Sequence, residues 1–150
     1  RAAGVTTSID TGWDPDDEWM LDDVFRHLDL FLPNRAELRA ATRRGSITDA
    51  MTVVADRGVA VVAKLGRKGG ATLVDGESLH VEAPAVSDIV DAVGAGDSFN
   101  AGYLAGILSG EDPAAALRLA VAAGTLSTRS AGGTTGQATR EEAVHLASLL

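Results

Sequence analysis

The run Val59-Ala60-Val61-Val62-Ala63 has no polar side chain, and at five residues it has the length of a strand rather than a helix. A strand that is apolar on both faces has to be covered on both, which an open antiparallel sheet does not provide. The run therefore predicts an inner strand of an α/β sheet with helices packed on its faces. The segments before it fit that plan. Val5 to Asp10 is β-branched and strand-like, and Asp14-Pro15 reads as an N-cap with proline at the first helical position, opening a helix to about His27. Asp29 to Pro33 is a second short apolar run. Asn34 then opens a helix through about Arg43 that Gly45 ends, and Ser46 to Arg57 forms another, closed by Gly58. Beyond the central run, Gly66, Gly69 and Gly70 form a turn, and Asp75-Gly76 between Ala71–Val74 and Ser78–Glu82 predicts a tight hairpin. Ala-rich helices follow at Ala95–Leu108, Pro113 to about Arg129, and Thr139–Leu149.

Composition narrows the class. A chain of 150 residues, 45% hydrophobic and 23% charged, builds one ordinary globular core. Its formal net charge of -8 excludes a nucleic-acid surface, which needs clustered Lys and Arg. With no cysteine there is neither a disulfide framework nor a thiolate metal site. No apolar run reaches the roughly 18 residues of a membrane span, and no signal-peptide pattern opens the chain, so a cytoplasmic location is expected. A start at Arg1 beside a strand-like segment predicts that the chain begins inside a larger protein.

Chemistry concentrates in Asp91-Ala92-Val93-Gly94-Ala95-Gly96-Asp97-Ser98-Phe99-Asn100-Ala101-Gly102, where small residues open directly into a long helix. Glycines let the backbone approach a ligand, and the first N–H groups of a helix, with its positive dipole end, attract an anion. A carboxylate in that mouth, Asp97, is ill placed for anion binding alone but well placed to take a hydroxyl proton beside a phosphoryl group. The plainer alternative is a loop-to-helix turn in which Asp97 favours the helix dipole. Two weaker features accompany it. Asn34-Arg35-Ala36-Glu37 reads as a capping box. Lys64-Leu65-Gly66-Arg67-Lys68-Gly69-Gly70-Ala71 lies at a strand's carboxyl end, where open α/β sheets bind ligands, or is simply the entry to the hairpin. His27, His80 and His145 lack metal-ligand spacing, and Trp13, Trp19, Asp16, Asp17, Asp22 and Asp23 read as packing or solvated helix positions.

Taken together, Asp91, Gly94-Ala95-Gly96-Asp97, Phe99 and Gly102, with the earlier Asn34-x-x-Glu37 and the Gly66 turn in the same order, resemble the C-terminal half of the PfkB/ribokinase family of carbohydrate kinases. The resemblance covers essentially the whole chain. It implies a ribokinase-like, Rossmann-type α/β sandwich: the C-terminal portion of the sheet with flanking helices and a hairpin edge, without the N-terminal half and its lid. It implies that Asp97 is the catalytic base, that Gly94, Ala95 and Gly96 form the anion hole, and that Asn34, Lys64, Gly66, Gly69 and Gly96 lie along ATP. Glu37 would act on Mg²⁺ through water, which suits an ion that retains most of its hydration. Asp91 and the Val93 carbonyl, closed by Ala131 to Thr135, would hold a monovalent cation such as K⁺. Ala92 and Val93 replace the Thr often found after the leading Asp, and no Asn stands near Val121 and Ala122, which leaves adenine selectivity open.

The implied activity is ATP-dependent phosphorylation of a hydroxyl on a sugar or sugar-like small molecule. A nucleoside kinase of the same superfamily and a catalytically inactive nucleotide-binding fragment are the alternatives. An uncovered sheet edge and uncovered apolar surface predict self-association, for which a homodimer is one form, or poor solubility.

Overall fold

The computed structural model describes residues 3–12, 21–86 and 89–150. The expected helix start at Asp14-Pro15, with Trp13, Trp19, Asp16 and Asp17, lies outside the described residues. The chain divides into two compact units, Arg1–Lys64 with Thr72–Ser78, and Leu65–Ala71 with Leu79–Leu150. The secondary structure is an α/β arrangement with strands β1 (Ser8–Ile9), β2 (Leu30–Phe31), β3 (Ala60–Lys64), β4 (Gly70–Val74) and β5 (Glu77–Val81). The helices are α1 (Asp22–Phe25), α2 (Arg35–Thr42), α3 (Ile47–Ala55), α4 (Ala95–Leu108), α5 (Pro113–Ser127) and α6 (Arg140–Ala147). The sheet runs β1-β2-β3-β4-β5, with β1, β2 and β3 parallel and Ser8, Leu30 and Ala60 in register. The β4–β5 hairpin makes it mixed.

In the first unit β3 is the inner strand its composition predicts: Val61, Val62 and Ala63 are all buried. Phe31, Leu38, Met51 and Val54 complete that core. Phe25 meets Phe31 edge to face at 5.4 Å, and the Arg57 guanidinium lies 4.9 Å over the Phe25 ring while pairing with Asp22 at 2.7 Å. Asp29 ties β1 to β2 by accepting the Thr7 backbone N–H at 2.9 Å. The first two strands are shorter than their sequence runs because ladder pairing, not β-propensity, sets their ends. Helix α2 ends on Arg43 in the left-handed region (φ 56), not on Gly45, its N–H bonding the Arg39 carbonyl. At the hairpin, Asp75 (φ 52) and Gly76 (φ 82) are both left-handed, as a two-residue turn matched to the strand twist requires.

In the second unit α4 and α5 form a closely packed helical hairpin. A Cβ at Gly102 would lie 2.8 Å from the Leu119 carbonyl oxygen, and one at Gly106 2.8 Å from the Ala116 Cα, so these residues let the α5 backbone approach. The turn between the helices is fully determined. Gly110 (φ 84) donates to the Ile107 carbonyl and Glu111 to that of Gly106, then Asp112 caps α5 through the Ala115 N–H at 2.8 Å, with Pro113 in first place. Thr139 and Glu142 form a capping box on α6.

Candidate active site

The second unit holds the glycine-rich helix start. Gly94 is the N-cap of α4, at φ 76 and ψ 0, a conformation that costs an L-residue. A side chain there would also collide with the late loop: its Cβ would be 2.6 Å from the Gly133 carbonyl oxygen and 2.8 Å from the Gly133 Cα. The Ala95 N–H donates to the Ala92 carbonyl and the Ser98 N–H to that of Gly94. Among the described residues no side chain caps the helix, and the N–H groups of Gly96 and Asp97 lie between these two, in the first turn at the positive end of the dipole. Asp97 stands in this first turn and is exposed. The Ser98 hydroxyl that follows it is buried and has no hydrogen-bond partner among the described residues.

Asp91 fixes the approach to this turn. One carboxylate oxygen accepts the Val93 N–H at 3.0 Å and the other the Gly132 N–H at 2.9 Å. These donors, Val93 first, hold the Asp91 carboxyl below its ordinary value. The Thr128 carbonyl accepts the Val90 and Asp91 N–H groups. The structure thus brings together Asp91, Val93, Gly94 and the Ala131-Gly132-Gly133 loop.

The Gly66 turn lies in the same unit. Gly66–Lys68 forms a single 3-10 turn, and the Gly69 N–H closes it on the Gly66 carbonyl. Gly69, at φ 83 and ψ -128, presses against the end of β5, where a Cβ would lie 2.0 Å from the Val81 carbonyl oxygen. Gly70 packs under Phe99, whose ring a Cβ would meet at 2.8 Å. The signature phenylalanine therefore anchors α4 on the start of β4. Beside the turn is an open cleft of about 440 Å³, lined by Arg67, Lys68, His80, Glu82 and Ala83, with the His80 Nε2 2.6 Å from the Lys68 carbonyl oxygen.

The first unit gathers Asn34, Glu37 and Lys64 at the carboxyl ends of β2 and β3, where Asn34 and Lys64 bridge in parallel. Asn34 caps α2 by accepting the Ala36 and Glu37 N–H groups at 2.8 and 3.0 Å. Glu37 answers: one oxygen accepts the Asn34 N–H at 2.7 Å and the other the Asn34 Nδ2 at 2.5 Å. The capping box is real, and it buries Glu37 to 4% exposure. Burial raises the Glu37 carboxyl above its ordinary value, opposed by the Asn34 N–H and the nearby Lys64 charge. Sequence reasoning placed Asp10 only in a strand and gave it no role. Here it directly follows β1 and pairs with Lys64. The available signal was its position at the end of a β-branched segment.

Comparison with known proteins gives the family and the fold. A model described as pfkB family carbohydrate kinase matches residues 2–140. The chain is 33% identical to Bacillus subtilis 2-dehydro-3-deoxygluconokinase, covering 100% of this chain and 48% of that protein. Arabidopsis thaliana ribokinase complexed with ribose and ATP superposes with a TM-score of 0.86 at 27% identity, over 97% of this chain and 48% of that one. An Escherichia coli protein assigned as ribokinase II, in complex with ATP and Mg²⁺, gives 0.87 at 26% identity, over 99% and 50%. The chain spans about a third to a half of the length of the curated relatives it matches.

Proposed function

The chain belongs to the pfkB carbohydrate kinase family, and from that membership we propose that it is the nucleotide-binding, proton-accepting part of an ATP-dependent phosphotransferase for a hydroxyl of a sugar-like molecule. The observation that carries this reading is the start of α4: two uncapped N–H groups, at Gly96 and Asp97, held by the left-handed Gly94, with a carboxylate in the same turn. Backbone N–H groups fixed at a helix start stabilise charge that builds on a phosphoryl group without reorganising. Asp97 takes the acceptor's hydroxyl proton as the acceptor oxygen bonds to the γ-phosphorus and the bond to the β-phosphate oxygen breaks, releasing ADP. Gly94, Ala95 and Gly96 form the anion hole, and Gly66 and Gly69 offer backbone to the nucleotide.

The residues present fit a hydrated divalent cation. Among the described residues no cluster of three His, Cys, Asp or Glu side chains surrounds a metal position, whereas Glu37 is a buried carboxylate with Asp10 and Lys64 in its field. Mg²⁺ accepts few protein ligands and keeps its waters, so Glu37 would hold it through water, where it would neutralise phosphate charge, with Asn34 beside the nucleotide. Asp91 and the Val93 carbonyl are the proposed seat of a monovalent cation such as K⁺. No helix among the described residues is long and apolar enough to cross a membrane.

The test is Asp97→Asn in the intact protein. Turnover is expected to fall by about 10²–10⁴, the usual worth of a positioned base, with ATP affinity unchanged within measurement. Unchanged turnover would refute the assignment of Asp97.

A further inference from the structure

The loop between α5 and α6 carries little of the apolar burial that fixes the helices on either side. Ala131, Gly132, Thr134 and Thr135 are exposed, and Gly132 is left-handed at φ 81. The far end of the loop is pinned by buried Gly136, where a Cβ would lie 2.4 Å from the Ser127 carbonyl oxygen. Between these points polar ties set its path. The Arg129 guanidinium takes both oxygens of Glu142, Nη1 at 2.7 Å and Nη2 at 3.0 Å, and Nη2 also donates to the Gln137 carbonyl at 3.4 Å. Gln137 in turn donates through its Nε2 to the Gly133 carbonyl at 3.3 Å, and through its N–H to the Thr134 carbonyl at 3.2 Å. Gly133 lies directly against the helix mouth: a Cβ on it would stand 3.5 Å from the Val93 Cγ1 and 3.6 Å from the Gly94 Cα. A continuous line of contacts therefore runs from the first turn of α6 to the N-cap of α4, all within the second unit.

We propose that Arg129 and Gln137 are positioning residues for the mouth of α4: they hold the Gly132-Gly133 segment against Gly94, and loosening them weakens the hold of the mouth on an anion. The inference rests on the kinase reading for the identity of that anion, a nucleotide phosphate, and adds two residues which that reading leaves without a role. Arginine suits the place, because a planar guanidinium satisfies both carboxylate oxygens and still directs an N–H at a carbonyl, which a point-charge ammonium does not. The pair is 41% exposed on each side, and ion pairs so exposed add little to global stability. Its effect is local. A loop with few buried contacts opens at low free energy, so each polar tie removed raises the open fraction of the loop rather than of the whole unit. Gln137 isolates this effect, since its side chain is exposed and its replacement leaves the Arg129–Glu142 pair and the Thr139 cap in place.

The experiment is amide hydrogen exchange on the nucleotide-free 150-residue chain, followed by mass spectrometry over residues 92–97, over 130–136 and, as the control, over 116–122 within α5. Wild type, Gln137→Leu and Arg129→Met are compared. Both variants are expected to speed exchange at 92–97 and 130–136 by about two- to tenfold, the change to which one hydrogen bond's net contribution converts, with 116–122 unchanged. Unchanged exchange at 92–97 in Gln137→Leu overturns the proposal. An equal rise at 116–122 overturns it too, because it assigns the network to the stability of the unit as a whole. If Arg129→Met does not fold, Gln137→Leu alone decides. Titration of the same chains with Mg-ATP by calorimetry separates the two ideas. Where wild type binds, Gln137→Leu binds more weakly by the same factor, and equal affinity overturns the role of these residues at the site. Absence of binding by wild type sinks the kinase reading of the chain, while the exchange series still decides whether Arg129 and Gln137 hold the mouth.

Discussion

Replacing Gly94 with alanine isolates what the helix start requires. The residue is held at φ 76, and the new Cβ would stand 2.6 Å from the Gly133 carbonyl oxygen, a backbone atom that cannot swing aside. The left-handed conformation costs an L-residue about 1–2 kcal/mol, and overpacking adds about 1–3 kcal/mol, so the expected loss is about 2–5 kcal/mol. Gly58 is the control, because it has the same φ of 76 with nothing within 4 Å of its Cβ position. Gly58→Ala therefore pays only the conformational part, about 1–2 kcal/mol. Urea denaturation of the two variants, compared at unchanged slope, reads the difference directly. At about 2–4 °C per kcal/mol for a chain of this size, the Gly94 variant melts several degrees below the control. Equal losses would show that the Gly94–Gly133 approach relaxes freely and would refute the claim that it fixes the helix mouth.

Asn34→Ala removes the acceptor of two N–H groups and a donor to buried Glu37. Losing the cap costs about 0.5–2 kcal/mol, and the lost donor to a buried carboxylate adds about 1 kcal/mol or more, measurable by urea denaturation; a neutral result would show that the capping box is dispensable. Glu142, which pairs with Arg129 at 2.7 Å and accepts the Thr139 N–H, has its carboxyl pulled from 4.5 to about 2, mainly by Arg129. The sign follows from the depressed value: the ion pair's stabilisation is complete above about pH 4.5 and is lost as pH falls toward 2. Glu142→Gln should flatten the fall in melting temperature across that window, and an unchanged acid limb would refute the linkage.

The parts legible in the sequence were those specified locally. The apolar run of β3, the Asp75-Gly76 turn, the Asn34–Glu37 capping box and the start of α4 each depend on neighbours within a few residues, and each formed where expected. Helix α2 also ended near Arg43 as expected, although the left-handed closing residue is Arg43 itself and not Gly45. The tie of Lys64 to Asp10 was not legible, since it joins residues 54 positions apart, and the approach of the Gly132 loop to Asp91 across 41 positions was implied only by the family resemblance. Periodicity carries no information about such pairs. The structure also supplies packing reasons for signature positions that read only as a pattern. Phe99 covers Gly70, and Gly102 admits the α5 backbone.

The Asp91–Gly132 clasp also bears on the order in which the chain matures. Contacts between α4 and α5 join residues near in sequence across a four-residue turn, so the helical hairpin is a low-contact-order element that forms early. The clasp closes a 41-residue separation and carries a loop-closure cost that local contacts do not have. A refolding chain should therefore gain its helical signal before it gains affinity for a nucleotide, and stopped-flow circular dichroism against nucleotide binding would measure the lag. On this order the mouth of α4 is completed after the helical hairpin, so a half-folded chain lacks the phosphate site proposed above.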